Sequence, residues 1–333
     1  MVSSKLVAKL AGVSQATVSR VINGSPHVRK ETREKVERAM KELGYRPNMI
    51  ARSLVLNRTK TLALISGGLE NPFYSEMATA IINTATVKGY NTLVYFEQSH
   101  GMDEIIDEVL SHHVEGIIIS SINLQHPIYD TLEQSGIPFI MINRKHQKEG
   151  HYVVLDNHTA GRLAMEHLVQ LGHQRIGMVL GPANISTFLE RKEGALQVLE
   201  ENGIKFNPAY LQEVNLTAQD IKSAVTELVY LANPPTALLC GTDHIALIAM
   251  DILLSMNLRI PDDISVIGFD DIALAGHQAI QLTSVAHNIE QMGELGVNLL
   301  VNLIEEENNT SAYKQIQLKP NLVIRNTTAK LNH

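Results

Sequence analysis

The period of the apolar positions changes near residue 60. Before it, apolar residues recur at helical spacing in three short windows. Leu6, Val7, Leu10 and Ala11 stripe the first, which Gly12 ends. Residues 12–24, GVSQATVSRVING, hold the second. Val18, Val21 and Ile22 crowd one arc of that helix, and Gln15, Ala16, Ser19 and Arg20 fall on the opposite arc. Ser14 suits its N-cap. Asn23-Gly24-Ser25-Pro26 then breaks the chain. Val36, Met40 and Leu43 stripe a third helix, stopped by Gly44. The next stretch, YRPNMIARSLVLNRTK (45–60), supports a short helix after Pro47 but lacks a wide apolar face. An isolated helix of this length is marginal in water, so the segment reads as a linker that orders against a partner.

From Thr61 short β-rich runs alternate with amphipathic helices. The runs are LALIS (62–66), NTLVYF (91–96), EGIIIS (115–120), PFIMI (138–142) and YVVL (152–155), then RIGMVL (175–180), TALLC (236–240) and ISVIGF (264–269). Helical stretches include 73–88, 159–171, 187–202 and 243–256. This βαβ rhythm predicts parallel sheets covered by helices. A break near 157–160 predicts two similar subdomains, with the C-terminal stretch 289–326 shared between them. The expected class is α/β, with a small all-α head.

Charge changes this picture. The net charge of the 333 residues is −7, but it is split. Residues 1–60 carry 13 Lys and Arg against 4 Asp and Glu, a balance of +9. The rest carries 15 against 31, a balance of −16. A basic head on an acidic body points to a polyanion that meets the head alone. No apolar run reaches the roughly 18 residues of a membrane span, and the amphipathic N-terminus does not read as a secretory signal. The single cysteine, Cys240, lies in an apolar run, excludes an internal disulfide and fits a reducing compartment. The expected localisation is cytoplasmic.

Helix, glycine-containing turn and helix over 5–23 fit a helix-turn-helix. The exposed arc of its second helix then lies in a major groove. Arg20 suits bidentate contact with guanine, Gln15 suits adenine, and Ala16 suits a thymine methyl. Ser14, Thr17, Ser19 and Asn23 are placed on phosphates, which set position rather than sequence.

These residues also carry a resemblance. VAKLAGVSQATVSRVINGSPHVRKETREKVERAMKELGYRPNMIARSL resembles the head and hinge of the lactose/galactose repressor (LacI/GalR) family of bacterial transcription regulators. Further matches follow in order: NPFYSEM (71–77), DNHTAGRLAMEHLVQLGHQRIGMVLG (156–181), TDHIALIAMDIL (242–253), and IPDDISVIGFDD (260–271) with LTSV (282–285). The resemblance spans nearly the whole chain. It implies a helix-turn-helix domain over 1–46, a hinge helix and linker over 47–60, and an effector-binding and dimerisation domain over 61–328. The body resembles periplasmic sugar-binding proteins, with one subdomain over about 61–158 and 289–317 and the other over about 159–288 and 318–328. It further implies a homodimer on a near-palindromic double-stranded DNA operator, controlled by a small molecule, expected to be a carbohydrate. Gln15, Ala16 and Arg20 match the base-reading positions. His27, Arg29 and Thr32 join the phosphate-facing set. Asn48, Ala51, Arg52 and Leu54 match the hinge that enters the minor groove, with Leu54 as an apolar wedge between base pairs.

For the effector, the resemblance implies Phe73, Arg191 and Asp270, with Thr187, Thr242, Asp243 and His287 as further positions. An arginine and an aspartate across a cleft suit a polyol, which accepts from one and donates to the other. The sequence departs from the family in places. Leu6 stands where an acidic residue closes a capping box from Ser3. Arg29 stands where a serine often caps the third helix. The segment NLTAQ (215–219) offers Leu216 where some members stack an aromatic on a sugar face. His287 stands where glutamine is common. The tail NTTAKLNH is too short and polar for a terminal coiled coil, so a dimer is the expected assembly.

No HExxH or paired Cys/His spacing marks a metal site, despite 14 histidines. Gly67-Gly68 is no dinucleotide fingerprint, and no GxSxG elbow occurs. No cofactor and no catalytic residue is expected. The alternative is a solute-binding protein or sugar-modifying enzyme sharing the same body, against which the basic head and the missing nucleophile both argue.

Overall fold

The computed structural model describes residues 3–22, 25–45, 58–97, 101–306 and 312–331. The chain divides into two compact units, Met1–Lys60 and Thr61–His333.

The first unit holds α1 (Ser4–Ala11), α2 (Gln15–Ile22) and α3 (Lys30–Glu42). Gly12 ends α1 in the left-handed conformation, φ 67°, which glycine adopts without a Cβ clash. Ser14 Oγ accepts from Thr17 N–H at 3.2 Å and starts α2. Neither Ser3 nor Arg29 makes a side-chain cap. The core is Val7, Ala8, Val18, Val21, Val36 and Ala39. One sequence expectation fails here: Leu6 and Leu10 are 47% and 46% exposed. A two-turn helix buries one arc. The arc of Val7, Ala8 and Ala11 faces α2 and α3, because its smaller side chains let the helices approach closely.

The second unit contains two six-stranded sheets. In chain order the elements are β1 (Thr61–Ser66), α4 (Pro72–Val87), β2 (Asn91–Phe96), α5 (Met102–Ser111), β3 (Gly116–Ile119), α6 (Ile128–Ser135), β4 (Phe139–Ile142), β5 (Tyr152–Leu155), α7 (Asn157–Gln170), β6 (Ile176–Leu180), α8 (Ser186–Glu201), β7 (Leu211–Glu213), α9 (Ala218–Val229), β8 (Ala237–Cys240), α10 (Asp243–Ser255), β9 (Ser265–Asp270), β10 (Thr283–Ala286), α11 (Ile289–Glu305), β11 (Gln315–Leu318) and β12 (Asn321–Val323). One sheet has the order β11-β5-β4-β3-β1-β2, the other β12-β10-β9-β8-β6-β7. Pairing is parallel except between β10 and β12. The chain thus leaves the first sheet after β5, returns to it through α11 and β11, and crosses again to β12.

Alternation within strands sorts the cores. Leu62 and Leu64 face a large core shared with α4 and α11, while Ala63 and Ile65 face a second core with α5 and α6. In each sheet the strand order reverses once, between β1 and β3 and between β6 and β8. Such switch points leave a crevice beyond the strands' C-terminal ends.

Two glycines bring α7 and α8 into backbone contact beneath that crevice. A Cβ on Gly161 would stand 2.1 Å from the Arg191 carbonyl oxygen, and one on Gly194 would stand 2.0 Å from the His158 carbonyl oxygen. Alanine at Gly161 favours the helix by roughly 1 kcal/mol, but the clash with backbone outweighs that gain. Gly161→Ala is therefore expected to lower stability by about 1–3 kcal/mol in urea denaturation. A change within about 0.5 kcal/mol would show that the two helices separate freely.

Candidate functional site

Two sites emerge, one in each unit. In the head, α2 buries Val18 and Val21 and exposes Gln15, Ala16, Ser19 and Arg20. Gln15 Nε2 donates to Ser4 Oγ at 2.9 Å, so α1 orients the start of the exposed arc. Ser14 and Thr17 share a hydroxyl contact at 2.9 Å. His27 and Arg29 are exposed and Thr32 is half-buried. Asn23, Asn48, Ala51, Arg52 and Leu54 lie outside the described residues.

In the second unit a cavity of about 730 Å³ opens at the strand ends of both sheets. Gly67 and Asn123 line it from the β1/β3 switch point, and Pro182 and Thr242 from the β6/β8 switch point. Its floor is organised by Arg191. This guanidinium has no exposure and meets four separate segments. Nε donates to Asn157 Oδ1 at 3.0 Å, and Nη1 donates to the Gly241 carbonyl at 2.5 Å. Nη2 faces Asp270 Oδ1 at 3.5 Å and donates to His287 Nε2. The guanidinium carbon sits 4.5 Å from the Phe269 ring centroid, a cation–π contact.

Asp270 ends β9 with φ 110°, and Asp271 follows with φ 52°. Both occupy the left-handed half of backbone space, a strain of the order of 1–3 kcal/mol each that only surrounding contacts can hold. Asp271 N–H donates to Ser284 Oγ, and Ile272 N–H donates to Asp243 Oδ2 at 3.0 Å. Asp271 also pairs with Arg325 at 2.7 Å. These contacts fix the turn. Burial pushes the Asp270 carboxyl up to about 7, with Arg191 pulling it back. Burial, reinforced by the Arg191 charge, holds His287 well below the ordinary imidazole range. Neutral His287 accepts at Nε2, so its proton sits on Nδ1, which has no partner among the described residues.

The head matches the description "Bacterial regulatory proteins, lacI family" over residues 5–48, and residues 165–328 match a periplasmic binding protein-like domain. The chain is 32% identical to the HTH-type transcriptional repressor PurR of Haemophilus influenzae, over 99% of this chain and 100% of that one. It belongs to the lacI family of bacterial regulatory proteins. Among solved structures, a lac repressor dimer bound to operator and the anti-inducer ONPF superposes with a TM-score of 0.86 at 29% identity, over 98% of this chain and 99% of that one. A CelR–cellobiose complex superposes at 0.74 and 30% identity, over 98% and 100%. As a lacI-family member the chain is a DNA-binding transcriptional regulator and not an enzyme.

Within this lacI-family body, Phe73, Thr187, Arg191, Thr242 and Asp270 line the cavity. Asp243 and His287, two further effector candidates, do not. Asp243 is fully buried behind Asp270 and accepts from Ser284 Oγ at 2.6 Å. His287 lies beneath Arg191 and against the edge of the Phe73 ring, 5.4 Å between centroids. Asp243, through Ser284 and the Ile272 N–H, and His287, through Nε2, hold cavity residues in place. Arg144, Tyr74, Asn71, Asn123, Asn143 and His244 also line the cavity, and sequence reasoning passed over them. Asn143-Arg144 directly follows β4, so the rule that ligands sit beyond parallel strand ends would have found them.

Contacts cross between the two sheet-bearing halves. Thr187 Oγ1 donates to the Asn143 carbonyl at 3.2 Å, and Lys145 N–H donates to Ser186 Oγ at 3.0 Å. Lys145 also pairs with Glu190 at 2.8 Å. Among the described residues no group of His, Cys, Asp or Glu could hold a metal, and no helix is long and apolar enough to cross a membrane. Cys240 is buried and its thiol is pushed up by burial.

The raised Asp270 carboxyl sets a sign for pH. Its folded value, about 7, exceeds the ordinary 3.8. The unfolded chain therefore loses this proton first, and the carboxyl's contribution to stability falls as pH rises from about 4 to about 7. Asp270→Asn does not titrate. Wild-type stability relative to this variant is expected to decline across that window in denaturant titrations. A difference that is flat or rises with pH would place Asp270 in the ionised state throughout.

Proposed function

We propose that the protein is a repressor that binds a near-palindromic operator as a homodimer and changes its DNA affinity when a carbohydrate occupies the cleft. The single observation that carries the effector reading is the buried Arg191–Asp270 pair lining a cavity bounded by asparagine amides. A guanidinium donates only, and a carboxylate at this site accepts, so adjacent sugar hydroxyls satisfy both. Phe73 and Tyr74 add apolar ring surface. The CelR–cellobiose complex and the operator-bound lac repressor dimer support the same assignment.

In this reading residues 1–46 read DNA, 47–60 form the hinge and 61–328 sense the effector, in the cytoplasm. Gln15, Ala16 and Arg20 meet base edges. Ser14, Thr17, Ser19, Asn23, His27, Arg29 and Thr32 meet phosphates, and Asn48, Ala51, Arg52 and Leu54 engage the minor groove. The lining residues Phe73, Thr187, Arg191, Thr242 and Asp270 bind the effector, with Asp243 and His287 supporting them. A ligand that acts must bind the two states of the body with different affinity.

Selection of duplexes from a random pool is expected to enrich a near-palindrome. Arg20→Ala is expected to weaken binding to that site by about 1–3 kcal/mol and to relax one base position in each half. Loss of affinity spread evenly over all sequences would instead make Arg20 a phosphate contact. A carbohydrate screen read by anisotropy on the selected duplex is expected to yield a sugar that shifts affinity about 5–150-fold. Asp270→Ala should abolish that shift while retaining operator binding. A sugar response that survives in Asp270→Ala would place the effector elsewhere.

A further inference from the structure

Arg144 lines the same cavity as the Arg191–Asp270 pair, from the other sheet-bearing half, and differs from Arg191 in one respect. Its side chain is only 8% exposed, yet no described carboxylate forms an ion pair with it. Nη1 donates to the Ser121 carbonyl at 2.9 Å and Nη2 donates to Tyr74 Oη at 2.7 Å. A guanidinium carries five N–H donors, so three have no protein acceptor among the described residues. Withdrawing a cation from water is costly unless an anion or a full set of acceptors compensates it. Here one side of the cation faces the cavity, so the missing compensation has to come from what fills it.

Among the buried groups of the lining, positive charge prevails. Two buried guanidiniums, Arg144 and Arg191, stand against one buried lining carboxyl, Asp270. Burial keeps that carboxyl partly protonated near neutrality. Of the other acidic lining residues, Glu70 is exposed and Glu97 is half-buried. The helices α4, α8, α9 and α10 all begin at the cavity, through Asn71, Thr187, Thr217 and Thr242. Their N-termini add partial positive charge.

We propose that the effector is a carbohydrate bearing one acid group, a carboxylate or a phosphate, and that Arg144 receives the acid while Arg191 and Asp270 hold hydroxyls. The proposal rests on the carbohydrate reading of the cleft and narrows it. Arginine suits this role because its planar fork matches a carboxylate or phosphate edge with two parallel hydrogen bonds. Tyr74 Oη and the Ser121 carbonyl hold that fork before a ligand arrives.

The test is calorimetric titration of the intact protein with hexoses, the matching hexuronates and the matching hexose 6-phosphates. The expected result is a uronate or a phosphate binding at least about tenfold more tightly than its neutral parent. Whether the uronate or the phosphate prevails identifies the acid. Arg144→Gln is expected to erase most of that preference, and Arg144→Lys to restore part of it. Should Arg144→Gln fail to fold, salt replaces it as the readout. Affinity for the acid form should then fall with added sodium chloride, whereas that for the neutral sugar stays level. Equal or tighter binding of a neutral hexose overturns the proposal and leaves the carbohydrate reading standing. So does an acid preference that persists in folded Arg144→Gln. Silence from all three ligand sets overturns both.

Discussion

The full burial of Arg191 is the constraint on which the sensing unit depends. A guanidinium without solvent needs partners on every side, and here they come from segments far apart in sequence: Asn157, Gly241, Asp270 and His287. Each partner is itself held. His287 is kept neutral so that it can accept, and Asp270 is kept in a strained backbone by the turn contacts of Asp243 and Ser284. The helix that carries Arg191 reaches this position because Gly161 and Gly194 let α7 and α8 touch through their backbones. Removing any one partner leaves a buried charge or donor uncompensated, which costs more than the lost contact itself.

The same arrangement explains how a cleft can act as a sensor. Parallel sheets place their C-terminal ends, and the N-termini of the following helices, around one crevice. Both sheet-bearing halves supply lining residues, Arg144 and Phe73 from one and Arg191 and Asp270 from the other. The polar ties between them include the partly solvated Lys145–Glu190 pair and the buried hydrogen bond from Thr187 to the Asn143 carbonyl. A part-exposed ion pair such as Lys145–Glu190 is weak by itself. In the proposed function, a ligand held by both halves shifts the equilibrium between their arrangements only if it binds those arrangements with different affinity.

The head obeys a simpler rule. Three short helices enclose a core of small side chains, and the polar arc of α2 stays in solvent because its opposite arc carries Val18 and Val21. The exposure of Leu6 and Leu10 shows where helical periodicity misleads. In eight residues, two overlapping apolar arcs exist, and hydrophobicity alone ranks the larger leucines first. Packing selects Val7, Ala8 and Ala11, since close helix contact favours small side chains.

The sequence by itself determined the class of this protein. Alternation of β-rich runs with amphipathic helices dictates parallel sheets, the polar arc with Arg20 and the basic head mark a DNA-reading helix, and local rules such as the Ser14 cap and the Gly12 stop act within a few residues. β7 carries only three residues, too few for a periodic signal, and pairing with the longer β6 defines it. What only the tertiary structure decided is the division of labour at the cleft. Arg144, Arg191, Asp243, Asp270 and His287 are spread over more than a hundred residues, and no local pattern separates those that face the cavity from Asp243 and His287 behind them. Arg144, Arg191 and Asp270 line it, while Asp243 and His287 support it from behind. That distinction rests on which side chains reach the cavity wall, and this is set by elements meeting across two sheets.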